Sequence, residues 1–182
     1  QGAKLSYLYS NIENIRGMKK KQLLFVLVVG LVVLGGCATT QSGKESKELT
    51  ETRVKESVDN RAFKISVDRV VPMSGRSRNV TSNYSLTVRN DSVFSYLPYF
   101  GQAYSLPYGG GVGMTFDAPL TEYNQRYDKK NNAEITFRTR SADDTHTFRI
   151  QIYPNASATI QVTSINRQGI TYYGTVDLKE GE

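Results

Sequence analysis

The residue types that most often do chemistry in proteins are scarce in this chain. It has one cysteine, Cys37, and one histidine, His146. A structural zinc site takes about four Cys or His ligands, and a Ser-His-Asp triad would have to be built on His146. Asp143 and Asp144 stand near this histidine, but it lies in a predicted strand, where we expect it to face outward. We therefore expect no metal, no cofactor and no histidine-based catalysis.

A pair of carboxylates is the remaining option for catalysis. Glycoside hydrolysis needs two acids about 5–10 Å apart, and Asp117 and Glu122 are candidates, although no spacing singles them out. The glycines at 109–111 and at 113 lack the lysine and the strand-to-helix context of a phosphate loop. The sequence predicts a protein that is not an enzyme, with a carboxylate-dependent hydrolase as the alternative.

Cys37 has a specific context. It ends the stretch MKKKQLLFVLVVGLVVLGGC, in which three lysines precede an apolar run over residues 23–34. This run has the length of a signal-peptide core and is too short to span a bilayer, which takes about 20 apolar residues. Leu34-Gly35-Gly36-Cys37 resembles the bacterial lipobox, which implies cleavage before Cys37, diacylglycerol on its sulfur, and a fatty acyl chain such as palmitate on the new amino terminus. The alternatives are an ordinary signal peptide with a chance cysteine, or an uncleaved anchor.

The signal divides the chain into segments. Residues 1–17 carry no signal feature and are interpreted as upstream, non-native translation, and 18–36 as a lipoprotein signal peptide. Residues 37–45 are predicted to be a lipidated, flexible tether, and 46–182 a single β domain. We expect an outer-membrane lipoprotein of the cell envelope, on the periplasmic face or the cell surface, held to the membrane by lipid on Cys37.

Charge argues against nucleic acid as a partner. Of 23 Lys and Arg residues, five precede Cys37, as does one of 17 Asp and Glu, so the net charge from Cys37 onward is only +2. This leaves no basic footprint for a phosphate backbone.

The domain is predicted to be mainly β, with one N-terminal helix over Ser46–Asn60 that Ser46 caps and a left-handed Asn60 ends. Apolar residues then alternate with polar ones in short segments separated by turns, which predicts an antiparallel meander forming a sandwich or an up-and-down barrel. A shift of the apolar phase near Asp68–Arg69 indicates a β-bulge. Inward faces and loop lengths together set the pairing, because a slip of one residue would invert a strand. The predicted partners are Val88 with Val93, Leu86 with Ser95, Phe137 with Phe148, Ile135 with Ile150, Ile150 with Ile160, and Ile152 with Ala158.

A loop rich in aromatic residues interrupts the strands. Tyrosine offers a large, rigid contact area with a polar tip, so we predict that this loop binds an envelope protein, a peptide or a glycan. The alternative is that Leu97, Phe100 and Leu106 fold back and plug one end of the β core. The candidate surface consists of Tyr96, Tyr99, Phe100, Tyr104 and Tyr108.

Several blocks of the chain together resemble a known family. They are Asp91-Ser92-Val93, Leu97-Pro98-Tyr99-Phe100-Gly101, Ala103-Tyr104, the glycines at 109–111, Ser164-Ile165-Asn166-Arg167-Gln168, and Gly174. The pattern is similar to the lipoprotein family called domain of unknown function 4251, found mainly in Bacteroidota, over roughly residues 54–176. The resemblance implies an exported, mostly β domain with no established activity. A glycine is common in the family where this chain has Ala156, so we expect a strained turn there.

These observations lead to one functional prediction. The chain is a lipid-anchored, non-catalytic binding or accessory domain of the envelope, with an unidentified ligand. A carboxylate-dependent envelope hydrolase and a purely structural subunit of an envelope complex are the alternatives.

Overall fold

The computed structural model of the chain describes residues 41–105, 113–142 and 144–178. The chain divides into two compact units, residues 1–45 and 46–182, and the sheet and its core lie in the second. The elements in chain order are α1 (Gln41–Asp59), β1 (Ala62–Pro72), β2 (Arg78–Asn79), β3 (Ser85–Arg89), β4 (Ser92–Pro98), β5 (Gly113–Pro119), β6 (Thr121–Tyr127), β7 (Ala133–Arg140), β8 (Thr145–Ile152), β9 (Ser157–Ser164) and β10 (Ile170–Val176).

The strands form one ten-stranded antiparallel sheet that is nearly closed into a barrel. Its order is β5-β4-β3-β1-β10-β9-β8-β7-β6, with β2 paired to β1. Nearly all neighbours in the sheet are neighbours in sequence, as a meander requires. Only the two-residue β2 separates β1 from its neighbour β3, so the one long-range pairing in this order is β1 with β10, which joins the two ends of the domain. The predicted mainly β, antiparallel fold is confirmed, and of its two forms the barrel is the one observed.

The predicted registers are confirmed. Val88 lies opposite Val93 across the Asn90–Asp91 turn. Phe137 lies opposite Phe148, and Ile150 is flanked by Ile135 and Ile160. The turn before β9 places Ala156 at φ 66°, in the left-handed region that favours glycine, as the family resemblance led us to expect.

The predicted bulge in β1 is also observed, as a register shift between Val67 and Arg69. Before the bulge β1 pairs with β3, and after it β1 pairs with β2. Gly174 of β10 lies opposite Val67, where the backbones approach closely. A Cβ at Gly174 would overlap the Ser66 carbonyl oxygen and lie 2.9 Å from its carbon.

The helix is longer than predicted and its ends differ. It begins at Gln41, inside the segment expected to be a tether, so Ser46 is an interior residue and not the cap. The Ser46 carbonyl accepts a hydrogen bond from Thr50 Oγ1, one turn later in the helix, at 2.9 Å. It ends at Asp59, and the left-handed residue is Arg61 (φ 48°), not Asn60.

The helix docks through its last two turns. Val54 and Val58 are buried in the domain core, whereas Leu49 is 52% exposed. Gln125 Nε2 and Tyr127 Oη of β6 donate to Asp59 Oδ1 at 3.0 and 2.7 Å. These contacts set the helix against the end of the barrel where β1 begins and β6 ends. Within the described residues, no helix is both long enough and apolar enough to cross a membrane.

The two edges of the sheet are β5 and β6, which only Leu120 separates in sequence. Side-chain contacts bridge the gap between these two edge strands. Phe116 of β5 stacks on His146 of β8, with ring centroids 4.9 Å apart. Thr139 Oγ1 of β7 donates to the Pro119 carbonyl of β5 at 3.0 Å.

Candidate functional site

Three segments meet at the end of the barrel away from α1: residues 73–77 after β1, 99–105 after β4, and 165–169 between β9 and β10. We call this region the loop end. Main-chain bonds hold two of its segments together, since Gln168 N donates to Gln102 O at 2.9 Å and Tyr104 N to Asn166 O at 2.7 Å. The aromatic loop therefore has its backbone fixed as far as Ser105.

Side chains extend this network to the first segment. Gln168 is its centre, because its Nε2 donates to Gln102 Oε1 at 3.1 Å and its Oε1 accepts from Ser74 Oγ at 3.0 Å. The Met73 amide also donates to the Gly169 carbonyl at 3.3 Å. The three segments thus form one hydrogen-bonded platform.

Tyr99 is not part of the exposed surface, and that expectation is corrected here. It is 7% exposed, because the chain turns inward directly after β4. Its hydroxyl lies 2.7 Å from the Gln102 carbonyl oxygen and 3.0 Å from that of Gln168, and donates its hydrogen between them. Gly101 permits this fold, since a Cβ there would lie 2.8 Å from the Tyr99 ring. Burial raises the pKa of Tyr99, opposed by the nearby positive charge of Arg167.

Three of the predicted surface residues point outward. Tyr96 is 49% exposed and packs on Tyr84 with ring centroids 5.2 Å apart. Phe100 is 39% exposed, and the Arg78 guanidinium lies over its ring at 5.0 Å. Tyr104 is 70% exposed. Tyr108, like Leu106 and the glycines at 109–111, lies outside the described residues, as does Cys37.

Sequence reasoning missed three further exposed apolar side chains. Met73 and Ile165, 73% and 71% exposed, lie in the other two segments of the loop end. Phe94 is exposed on the outer face of β4, two residues before Tyr96. The strand period would have found Phe94, because it shares the outward phase of Tyr96. No sequence pattern marks the other two.

The expected orientation of His146 is wrong. Its side chain faces the core, with Nδ1 2.7 Å from Ser164 Oγ and Nε2 3.3 Å from Ser141 Oγ. Asp144 is buried beside it, and its carboxylate accepts backbone N–H bonds from Thr145 at 2.8 Å and from the β9–β10 loop. This acid holds the β9–β10 loop in place.

Both acids proposed for hydrolysis are exposed at the surface. Asp117 is exposed on the outer face of β5, and Glu122 forms a surface ion pair with Arg138 at 3.2 Å. Among the described residues, no group of three His, Cys, Asp or Glu side chains is placed to hold a metal ion. The loop end is suited to binding another molecule, since it presents aromatic rings and amide groups.

The fold and this platform define a small antiparallel β domain without a recognisable catalytic centre in its described part. A family model, domain of unknown function (DUF4251), matches residues 45–176, and the chain belongs to this family, as its sequence blocks predicted. It is similar to the crystal structure of a DUF4251 family protein from Bacteroides eggerthii DSM 20697. The identity is 18%, the match covers 70% of this chain and 87% of that one, and the TM-score is 0.57. A search of curated proteins found no match.

Proposed function

We propose that this chain is a lipid-anchored protein of the bacterial cell envelope, held to the outer membrane through Cys37, whose β domain binds an envelope protein, peptide or glycan without catalysis. One observation carries the binding part of the proposal. Exposed apolar and aromatic side chains project from three loops that are fixed to each other by hydrogen bonds at one end of the barrel.

The anchoring part is supported by the sequence of residues 18–37. One myristoyl-sized chain binds a membrane only marginally, at about 0.8 kcal/mol per buried methylene, whereas two or more chains bind stably. A cysteine with diacylglycerol and an amide-linked acyl chain carries three. The domain would then work beside a membrane without inserting strands or helices into it.

The binding part is supported by the physical character of the loop end. Tyrosine and other aromatic side chains supply much of the energy at protein interfaces, because they bury large areas at a small entropy cost. Ordered loops reduce that cost further, since the segment is already fixed before the partner arrives. Tyr104 combines the two features, because its amide is bonded to Asn166 O while its ring is 70% exposed.

Site-specific photo-cross-linking in cells tests the proposal. A photoreactive phenylalanine analogue replaces Tyr104 in one variant and Arg149, exposed on the outer face of β8, in a matched control. We expect the probe at position 104 to capture a discrete envelope component, sensitive either to protease or to glycosidase, and the probe at 149 not to. Equal capture by both probes, or none from position 104, would contradict the proposal.

A further inference from the structure

A small cavity of about 100 Å³ opens at the loop end, separate from the exposed aromatic side chains. It lies between the start of β5, the β7–β8 loop and the β9–β10 loop, and its walls include Met114, Phe116, Ser141 and Arg167. Ligand pockets for drug-sized molecules are about 300–1,000 Å³. This cavity has room for about three waters, at about 30 Å³ each, or for one very small organic molecule.

Arg167 brings a buried positive charge to this cavity. The residue is 8% exposed, and its Nη1 donates to the Gly113 carbonyl at 3.0 Å. The guanidinium also lies 5.4 Å from the centre of the Tyr99 ring. Within the described residues it forms no ion pair with an acid. A buried charge is costly unless a partner of opposite sign offsets it.

The acid that shares the loop end with Arg167 is already engaged. Asp144 Oδ1 accepts N–H bonds from Thr145, Ile165 and Asn166, and Oδ2 accepts from Asn166. Arg167 has five N–H donors in a planar fork, and its hydrogen bond to Gly113 uses only Nη1. Nε and Nη2, on the other side of the fork, have the spacing of the two oxygens of a carboxylate.

The lining of the cavity is mixed, since two apolar side chains lie among polar ones. Met114 is buried, and Phe116 is half-buried, packed between His146 and Phe148. A ligand that suits the guanidinium and these two apolar side chains has a negative, planar head and a short hydrocarbon tail. We propose that this cavity binds a short-chain monocarboxylate, with its carboxylate on the Arg167 guanidinium and its tail against Met114 and Phe116.

Titration calorimetry of the full chain with propionate tests this directly, with propionamide as a neutral ligand of the same shape. We expect saturable binding of propionate. The affinity for propionamide should be at least about tenfold lower, since hydrogen bonds between charged groups are the stronger ones. Arg167→Met should weaken propionate binding at least about tenfold. Arg149→Met, on an exposed arginine of β8, should leave it unchanged.

A chemical measurement on the unmodified protein covers the case in which Arg167→Met does not fold. Phenylglyoxal modifies arginines, and mass spectrometry of peptides gives the rate for each. We expect propionate, and not propionamide, to slow the modification of Arg167 while Arg149 reacts at the same rate. Equal binding of the two ligands, no saturable binding, or no protection of Arg167 would overturn the proposal.

Discussion

Buried hydroxyl groups fasten the barrel where strands that are not neighbours approach each other. Tyr172 of β10 donates to the Pro98 carbonyl at the end of β4 at 2.8 Å, and Thr139 of β7 donates to the Pro119 carbonyl of β5 at 3.0 Å. Among the described residues, no buried side-chain nitrogen or oxygen lacks a hydrogen-bond partner. Each such bond is worth about 1 kcal/mol net, and leaving the carbonyl unsatisfied costs about 1–3 kcal/mol. The role of these two hydroxyl groups is therefore to hold strands of the barrel together that are not paired through their backbones.

Gly174 is the residue with the strictest steric requirement. A methyl group at this position would overlap the backbone of Ser66 and lie 3.0 Å from Val67 Cα. Backbone cannot move aside as a flexible side chain can, so Gly174→Ala should lower the free energy of unfolding by about 3 kcal/mol. Urea unfolding followed by circular dichroism measures the change.

Gly169→Ala is the matched control for this substitution. The nearest atom to its added Cβ is the Val162 carbonyl oxygen at 3.5 Å, an ordinary contact. Its unfolding free energy should stay within about 1 kcal/mol of the parent. If both variants were equally stable, the close approach at the β1 bulge would be disproved.

The inward position of His146 was available from the sequence, because it shares its phase with the predicted core residues Phe148 and Ile150. The outward orientation is wrong because at this position the strand period, and not the polar residue type, decides which way the side chain faces. Tyr99 is different. It follows Pro98 at the end of β4, where the alternation stops, so its burial depends on hydrogen bonds to Gln102 and Gln168, which no local pattern encodes.

At the scale of elements, the docking of α1 depends on few residues. Its apolar stripe consists of Leu49, Val54 and Val58, and only the last two are buried in the core. The polar contact is centred on Asp59, whose pKa is lowered, first by its hydrogen bond with Lys55 and next by that with Tyr127. A helix with so narrow an apolar face is held by tertiary contact more than by its own propensity.

Val58→Ala tests this docking. The side chain is fully buried, so removing two methyl groups should reduce the unfolding free energy by about 2 kcal/mol. Amide hydrogen exchange should accelerate in the last turns of α1 more than in the sheet, because the helix loses its main apolar contact.

Leu49→Ala is the comparison within the same helix. Leu49 is half-exposed, and alanine has the better helix propensity, so the change should stay below about 0.5 kcal/mol. A Val58→Ala variant as stable as this one would show that α1 is not held through Val58.

Strand pairing was predictable because two constraints had to agree. The inward phase of Phe137 and Phe148 and the length of the turn between them allow one register, and it is the one observed. The start of α1 was not predictable in this way. Gln41, Ser42 and Gly43 favour a tether by composition, and the helix nevertheless extends through them.

At the scale of the whole molecule, pairing of β1 with β10 brings the meander close to a closed barrel. This contact is between the ends of the domain sequence, so the local alternation of apolar residues cannot reveal it. The sequence therefore predicts a sandwich and a barrel equally well. Buried and partly buried tyrosines pack around the one core of this barrel. Because their phenol groups can ionise, the stability of the fold should depend on pH.

Stability should fall at alkaline pH. Burial raises the pKa of Tyr99, Tyr123, Tyr127 and Tyr172 above the ordinary value of about 10. Below pH 10 the folded and unfolded states both keep these protons, so the full stability is present. Above pH 10 the unfolded state releases them first, so the free energy of unfolding falls as the pH rises.

Absorbance of the phenolate checks this prediction. The chain has 12 tyrosines, and a group of them should titrate only as circular dichroism reports unfolding. Tyr172→Phe should reduce the loss of stability between neutral pH and pH values above about 10. Titration of all tyrosines in a single step, while the fold persists, would be inconsistent with the buried phenols.

The proposed function depends most on lipid at Cys37, and the mass of the native amino terminus measures it most directly. The protein is extracted with detergent from envelopes of cells that make it, and its terminal peptide is analysed by mass spectrometry. We predict that the chain begins at Cys37 and carries diacylglycerol and an additional acyl chain, and that Cys37→Ala abolishes both modification and membrane retention. An unacylated amino terminus beyond Cys37, on protein free of the membrane, would contradict the account.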